Sequence, residues 1–285
     1  MPRIGPYTLH KIETGTFGLD GGAMFGVVPK PLWEQRIPAD GRNRIPLAMR
    51  CLLLESSDRL ILVDNGLGHK YTEKFAALYA IDHETHTLER SLRSAGFGFD
   101  DVTDVVLTHL HFDHTGGSTT LDGGKLAVVF RNARHYVQRK QWDTANDPNP
   151  RESPSFQAEN LRPLEASGQL VLLDGEQSPF AGVTLTPVSG HTAGMQIVRV
   201  ADGSRTLVFA ADLLPTSHHF GPAWTMAYDI EPLKSMSEKA AFLSAASQNG
   251  WTIMFEHDPV VEIAEVADSD GRMVVKDARS VADFS

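Results

Sequence analysis

Seven side chains able to bind a metal stand at spacings that suit one centre. The densest run is Thr108-His109-Leu110-His111-Phe112-Asp113-His114-Thr115-Gly116-Gly117. In extended backbone, residues i and i+2 share a face, so His109 and His111 can reach one cation together. A turn at Phe112 then aims Asp113 and His114 at a neighbouring point, and Gly116 and Gly117 let the backbone turn sharply beneath. Imidazole and carboxylate are donors that zinc accepts at neutral pH; manganese, iron and cobalt stay open as alternatives. Three more candidates each follow an apolar run: His191 after residues 183–188, Asp212 after residues 207–211, and His257 after residues 253–256. A carboxylate placed like Asp212 is costly unless it meets a cation. Each of the three alone reads as a loop residue, but with the first group they complete a set for two divalent ions.

Elements of the right kind lie around these residues. Strands are expected at 7–13, 48–55 and 60–63, the last two joined by a turn at 56–59, and at 104–108, which delivers the chain into His109. Further strands are expected at 126–130, 135–138, 169–173, 183–188, 196–200, 207–210 and 252–255, with a final hairpin from 260–266 and 273–276. Residues 18–26 and 146–155 read as loops. Helices are expected at 85–95, closed by Gly96, and at 233–249, closed by Gly250. Many strands with helices at intervals imply two packed sheets covered by helices. No composition break marks a linker, so residues 1–285 are read as one domain.

The order of the motifs, HxHxDH followed by a lone His, a lone Asp and a last His, resembles the metallo-β-lactamase superfamily. Leu62-Val63-Asp64-Asn65-Gly66 is similar to that family's earlier strand-end Asp-x-Gly. The resemblance implies an αββα sandwich, an α/β fold of two mixed sheets flanked by helices, with metals at one sheet edge. It also implies that His109, His111 and His191 hold one metal, that Asp113, His114 and His257 hold the other, and that Asp212 bridges both. Asp64 would orient a ligand histidine from behind.

Within the superfamily, Asp212 stands where common zinc β-lactamases have Cys. The 28 residues after His257 read as strands rather than the helical extension of glyoxalase-II-type thioesterases. The acidic chain lacks the basic exosite of tRNA-processing members, and His111 replaces the Glu of flavodiiron members. Residues 20–26, 212–217 and 255–259 resemble quorum-quenching N-acyl homoserine lactonases, in particular a YtnP-like branch. The resemblance thus implies a lactonase or carboxylic ester hydrolase acting on a small lactone or ester, in which water activated by the metal pair attacks the carbonyl. An organophosphate triester hydrolase resembling methyl parathion hydrolases, or an arylesterase, is the alternative, and a non-catalytic sensor on the same fold a remote one. Asp113 is the expected proton carrier to the leaving oxygen.

One departure matters. The lactonases carry a Tyr shortly after the bridging Asp; here that vicinity offers His218 and His219, with Tyr228 farther along. Either histidine could bond the oxyanion or be an ordinary loop residue. Met24, Phe25, Val27, Val28 and Trp33 read either as a flap over an acyl chain or as a hairpin packed on the core, and Trp224 and Met226 as candidates for the opposite wall. His10, His69, His83, His86 and His135 lie outside the motif spacing and are expected to be structural or exposed.

Composition sets outer limits. The net charge of −10 and the lack of Lys/Arg clusters argue against a nucleic-acid partner. No stretch approaches the roughly 20 apolar residues of a membrane span. The first fifteen residues lack the apolar core of a signal peptide, so a cytoplasmic location is expected. The single cysteine, Cys51, falls in an apolar run and reads as a core thiol. The apolar N-terminal segment could serve a homodimer contact.

Overall fold

The computed structural model describes residues 1–284. Its first sheet begins with β1 (Arg3–Ile4), β2 (Tyr7–Asp20), β3 (Arg44–Glu55), β4 (Leu60–Val63) and β5 (Asp104–Val106). A separate hairpin, β6 (Thr119–Asp122) and β7 (Lys125–Val128), leaves the sheet before β8 (Arg134–Gln138) and β9 (Leu170–Leu173) complete it. Strands β1 to β4 are antiparallel, whereas β4, β5, β8 and β9 run parallel. The second sheet holds β10 (Gln177–Phe180), β11 (Val183–Val188), β12 (Met195–Ala201), β13 (Thr206–Phe209), β14 (Thr252–Met254), β15 (Ile263–Ser269) and β16 (Arg272–Arg279), in that spatial order. Only β13 and β14 pair in parallel.

Burial explains the order. Residues 47–54 of β3 are all buried, as a strand covered on both faces requires, and all four residues of β4 are buried with them. Leu52, Val63 and Val106 of the first sheet pack against Val183, Val198, Leu207 and Ile253 of the second. Outside the first sheet, α4 (Leu88–Ala95) buries Leu88 and Leu92. Outside the second, α8 (Pro232–Asn249) buries Phe242, Leu243 and Ala246. The result is the expected αββα sandwich. Cys51 is fully buried. Among the described residues no helix is long and apolar enough to cross a membrane.

Several boundaries move for local reasons. The helix expected from residue 85 starts at Leu88, because Thr87 Oγ1 accepts from Arg90 N and caps it; Gly96 ends it at φ +97°. The loop expected at 18–26 is instead the end of β2 followed by a helical turn, α1 (Gly21–Phe25), capped by Asp20 Oδ1 on Ala23 N. A second turn, α2 (Lys30–Trp33), follows, so the hairpin reading of this segment fails as well. Gly21 serves packing, since a Cβ there would lie 2.4 Å from the Trp33 ring. Three further helices were not expected: α3 (Glu73–Tyr79), α6 (Arg139–Asn146) and α7 (Ala158–Ser167). The last carries Pro163 inside it, which reads as a breaker.

Candidate metal centre

The centre lies where strands of both sheets end. Leaving β4, Asp64 adopts φ +55° and turns its carboxylate onto the chain leaving β5. Its Oδ1 accepts from Thr108 N at 2.7 Å and its Oδ2 from Thr108 Oγ1 at 2.6 Å. Thr108, His109, Leu110 and His111 follow in this clamp. The helical turn α5 (Phe112–Thr115) then presents Asp113 and His114. Gly116 is not a hinge, as its φ is −60°. A Cβ there would come within 2.1 Å of Leu67 O, so the glycine allows two backbones to touch. Asp212 follows Ala211, which takes φ +46° as the chain turns out of β13.

These turns gather all seven sequence candidates. His109, His111, His191 and Asp212 form one group, and Asp113, His114 and His257 a second. His111 Nδ1 lies 3.1 Å from His109 Nε2 and 3.2 Å from His191 Nε2. His114 Nε2 lies 3.2 Å from His257 Nε2. Asp212 sits between the groups, with Oδ2 3.2 Å from His191 Nε2 and Oδ1 3.2 Å from His257 Nε2.

The opposite ring nitrogens are already engaged. His109 Nδ1 lies 3.1 Å from Thr108 Oγ1, whose own hydrogen goes to Asp64, so the imidazole is the donor. His191 Nδ1 donates to Asp229 Oδ1 at 2.9 Å, and His257 Nδ1 to Ala48 O at 2.9 Å. His111 Nε2 faces Glu152 Oε1 at 3.4 Å. His114 Nδ1 lies 3.1 Å from both Asp64 Oδ2 and Glu256 Oε2. With the outer nitrogens protonated, the inner ones carry lone pairs that point at one another.

Lone pairs at such distances repel unless a cation lies between them, and one shared proton cannot serve three imidazoles. Asp212 Oδ1 is buried and accepts no hydrogen bond. The donors therefore fit divalent metal ions of the borderline class. Burial pushes the His109 imidazole well below its ordinary pKa. At His114, His191 and His257 burial works the same way, but the carboxylates around them outweigh it and raise the imidazoles, so without a cation the cluster collects protons in its place. Burial works to raise the Asp212 carboxyl, but His114, His257 and His191 outweigh it and hold the group well below the usual range. Burial also raises Glu256, to about 8, and Asp64 beside it adds to the effect.

A cavity of about 250 Å³ opens onto His111, Asp113, His191, Asp212 and His257. Met24, Met226 and Tyr228 line it, as do Leu19, Tyr79, Phe112, Arg151, Pro154 and Ser155. Other expected contacts are not on its wall. Phe25 and Trp33 are fully buried behind it, stacked on each other at 5.7 Å. Trp224 meets the Phe25 edge at 5.5 Å and carries Arg36 over its ring at 4.4 Å. The histidine alternatives for the oxyanion are corrected too. His219 Nδ1 bonds Thr216 Oγ1 at 2.8 Å and its Nε2 bonds Met24 O at 2.9 Å, so both nitrogens are spent inside the core. His218 faces a different groove, with Arg272 and Met273. Sequence reasoning misses Glu152, Asp229 and Glu256, because nothing in their spacing sets them apart from other acidic residues.

Related proteins share this arrangement of chain. The model of the metallo-beta-lactamase superfamily matches residues 46–257, from β3 to the last histidine. A probable metallo-hydrolase of Mycobacterium tuberculosis is 27% identical over 219 residues, covering 67% of this chain and 66%, just under two thirds, of its own length. The N-acyl homoserine lactonase AiiA of Bacillus thuringiensis subsp. kurstaki is 23% identical over 222 residues, 74% of this chain and 82% of its own. In three dimensions, a probable metal-dependent hydrolase from Staphylococcus aureus superposes with TM-score 0.87 at 30% identity, covering 97% of this chain and 99% of that one. The dizinc quorum-quenching lactonase AidC has the same fold, with TM-score 0.78 at 21% identity over 96% and 95% of the two chains. The family match spans every one of the seven clustered side chains, and the chain belongs to the metallo-beta-lactamase superfamily.

Proposed function

We propose that this chain is a hydrolase that holds two divalent ions, zinc being the best fit to its donors, and opens lactones or carboxylic esters of the N-acyl homoserine lactone type. The observation that carries this reading is the cavity itself. Leu19, Met24, Phe112 and Met226 give it apolar walls suited to an acyl chain, and it ends on the histidine and aspartate cluster. The lactonase neighbours support the same choice.

Bound at the two groups, such ions supply Lewis acidity for the carbonyl and lower the pKa of water toward neutrality. The chain does the rest. Tyr228 is the one phenol of the expected set on the wall, and burial holds its hydroxyl in the protonated, donating form. In this reading its hydroxyl donates to the carbonyl oxygen as negative charge develops there. Asp113 faces the cavity with its Oδ2 3.7 Å from the Nε2 atoms of both His114 and His257. Its carboxylate carries the proton from water to the departing alkoxide. Met24 and Met226 exclude bulk water from the acyl chain.

The test compares kcat/KM for an acyl homoserine lactone with that for an aryl phosphotriester on metal-loaded enzyme. The lactone is expected to win; a clear preference for the phosphotriester would overturn the assignment. Metal analysis bears on the same reading, since a content well below two ions per chain contradicts a dinuclear site.

A further inference from the structure

The cavity wall holds a single cation, Arg151, in a chain whose net charge is −10. Arg151 is exposed, and among the described residues no carboxylate pairs with it. Its placement is nonetheless fixed. Asn149 Oδ1 accepts from the backbone N–H groups of Arg151 and Glu152 at 3.0 and 3.1 Å, forming a tight turn. The next residue, Glu152, is 3% exposed and is bolted to the metal centre. It receives the Thr192 hydroxyl and faces His111 Nε2, and Asn149 Nδ2 bonds its second oxygen at 3.1 Å. On the other side, Arg151 Nη2 donates to Ala227 O, between the wall residues Met226 and Tyr228. Ala227 N in turn donates to Ala23 O at 2.7 Å, tying this roof to α1.

A guanidinium has five N–H groups in a planar fork, and this one spends one nitrogen on a carbonyl. The remainder stays available on a wall shared with Leu19, Met24, Phe112 and Met226, with no carboxylate paired to it. A fixed fork of this kind suits a carboxylate, bonded by charge-assisted hydrogen bonds. We propose that Arg151 is a specificity residue that selects lactones or esters bearing a carboxylate at the end remote from the scissile bond. This inference rests on the hydrolase reading above and narrows its substrate class from neutral acyl chains to acidic ones.

The experiment uses metal-loaded enzyme and two aryl esters of equal chain length, an aryl hexanoate and the monoaryl ester of adipic acid. These differ only in a terminal methyl against a terminal carboxylate. Wild type is expected to favour the adipate ester about tenfold in kcat/KM, mainly through KM, and the advantage should shrink as salt screens it. Arg151→Gln should bring the ratio to about one, and Arg151→Lys should fall between. A wild-type ratio of one or less overturns the proposal. So does a ratio unchanged in Arg151→Gln, even where that variant slows both esters, because Arg151 would then be only a staple for Ala227.

A binding measurement separates this outcome from failure of the hydrolase reading. Calorimetric titration with adipate and hexanoate needs no turnover, and both acids offer the metals one carboxylate. Tighter adipate binding that is lost in Arg151→Gln supports the charge selection even if neither ester is cleaved, and the absence of cleavage then counts against the hydrolase reading alone. Equal affinities overturn the role of Arg151 whatever the turnover.

Discussion

The floor and the roof of the cavity are built on different principles. On the floor, every metal-facing side chain leaves a strand end or the α5 turn, and each imidazole is pinned from behind by a hydroxyl, carboxylate or carbonyl. All seven candidates are at most 8% exposed. The roof comes from short helical turns and loops: α1, the end of α3, the turn at 149–152 and residues 226–228. It carries Tyr79, Arg151 and Tyr228, none of them fully buried. A floor of buried, pinned side chains sets the reaction class, while a roof of separable pieces can change substrate without disturbing that floor.

The contrast can be broken at its strongest point first. Asp212→Ala removes the carboxylate lying between the two groups. Metal content measured by atomic spectroscopy should fall well below two per chain, and kcat/KM should drop by more than ~100-fold, beyond what outer partners of ligands command. Unchanged turnover would remove the bridging role.

A roof residue comes next. Under the proposed mechanism Tyr228→Phe deletes one hydrogen bond to developing charge, worth about 10- to 100-fold in kcat. Metal content should stay at the wild-type value, and that separation of readouts is what the floor–roof contrast requires. If the variant loses metal as well, the two regions are not independent.

Asp229→Asn sharpens the floor alone. The amide still accepts from His191 Nδ1 but lacks the charge, so metal affinity should fall about 10-fold in a chelator competition. Loss of activity without loss of affinity would instead place Asp229 in the chemistry.

The last expected effect is on stability and lies away from both regions. His135 is fully buried in β8, and burial lowers its pKa to about 4 from an ordinary 6.5. The unfolded chain therefore takes up a proton between those values while the folded chain does not. Stability from this site is complete above about pH 6.5 and declines as pH falls toward 4, by about 1.4 kcal/mol per unit. Urea unfolding of wild type and His135→Leu at several pH values measures it; the variant should show the shallower decline. Equal slopes would mean that His135 does not titrate this way.

Much of the floor is legible in the sequence, and little of the roof is. The HxHxDH run carries its own geometry, because i, i+2 spacing and a following turn are local properties of the backbone. His191, Asp212 and His257 stand out since each ends an apolar run. The partners that orient them do not: Asp229 and Glu152 lie 38 and 41 residues from the histidines they bond, and only the packing of loops brings them there. His219 shows the converse error. It stands near the bridging aspartate in sequence, yet Thr216 and Met24 absorb both of its nitrogens.

By itself the sequence determined the two-sheet fold, the candidate ligands that cluster and the acidic balance of the chain, all of which follow from periodicity and residue type. Only the tertiary structure decided which side chains line the cavity, because Tyr79, Arg151 and Tyr228 reach it from three distant segments. Whether a side chain faces a substrate depends on which hydrogen-bond and packing partners have already claimed it, and those partners are assembled only when the chain folds.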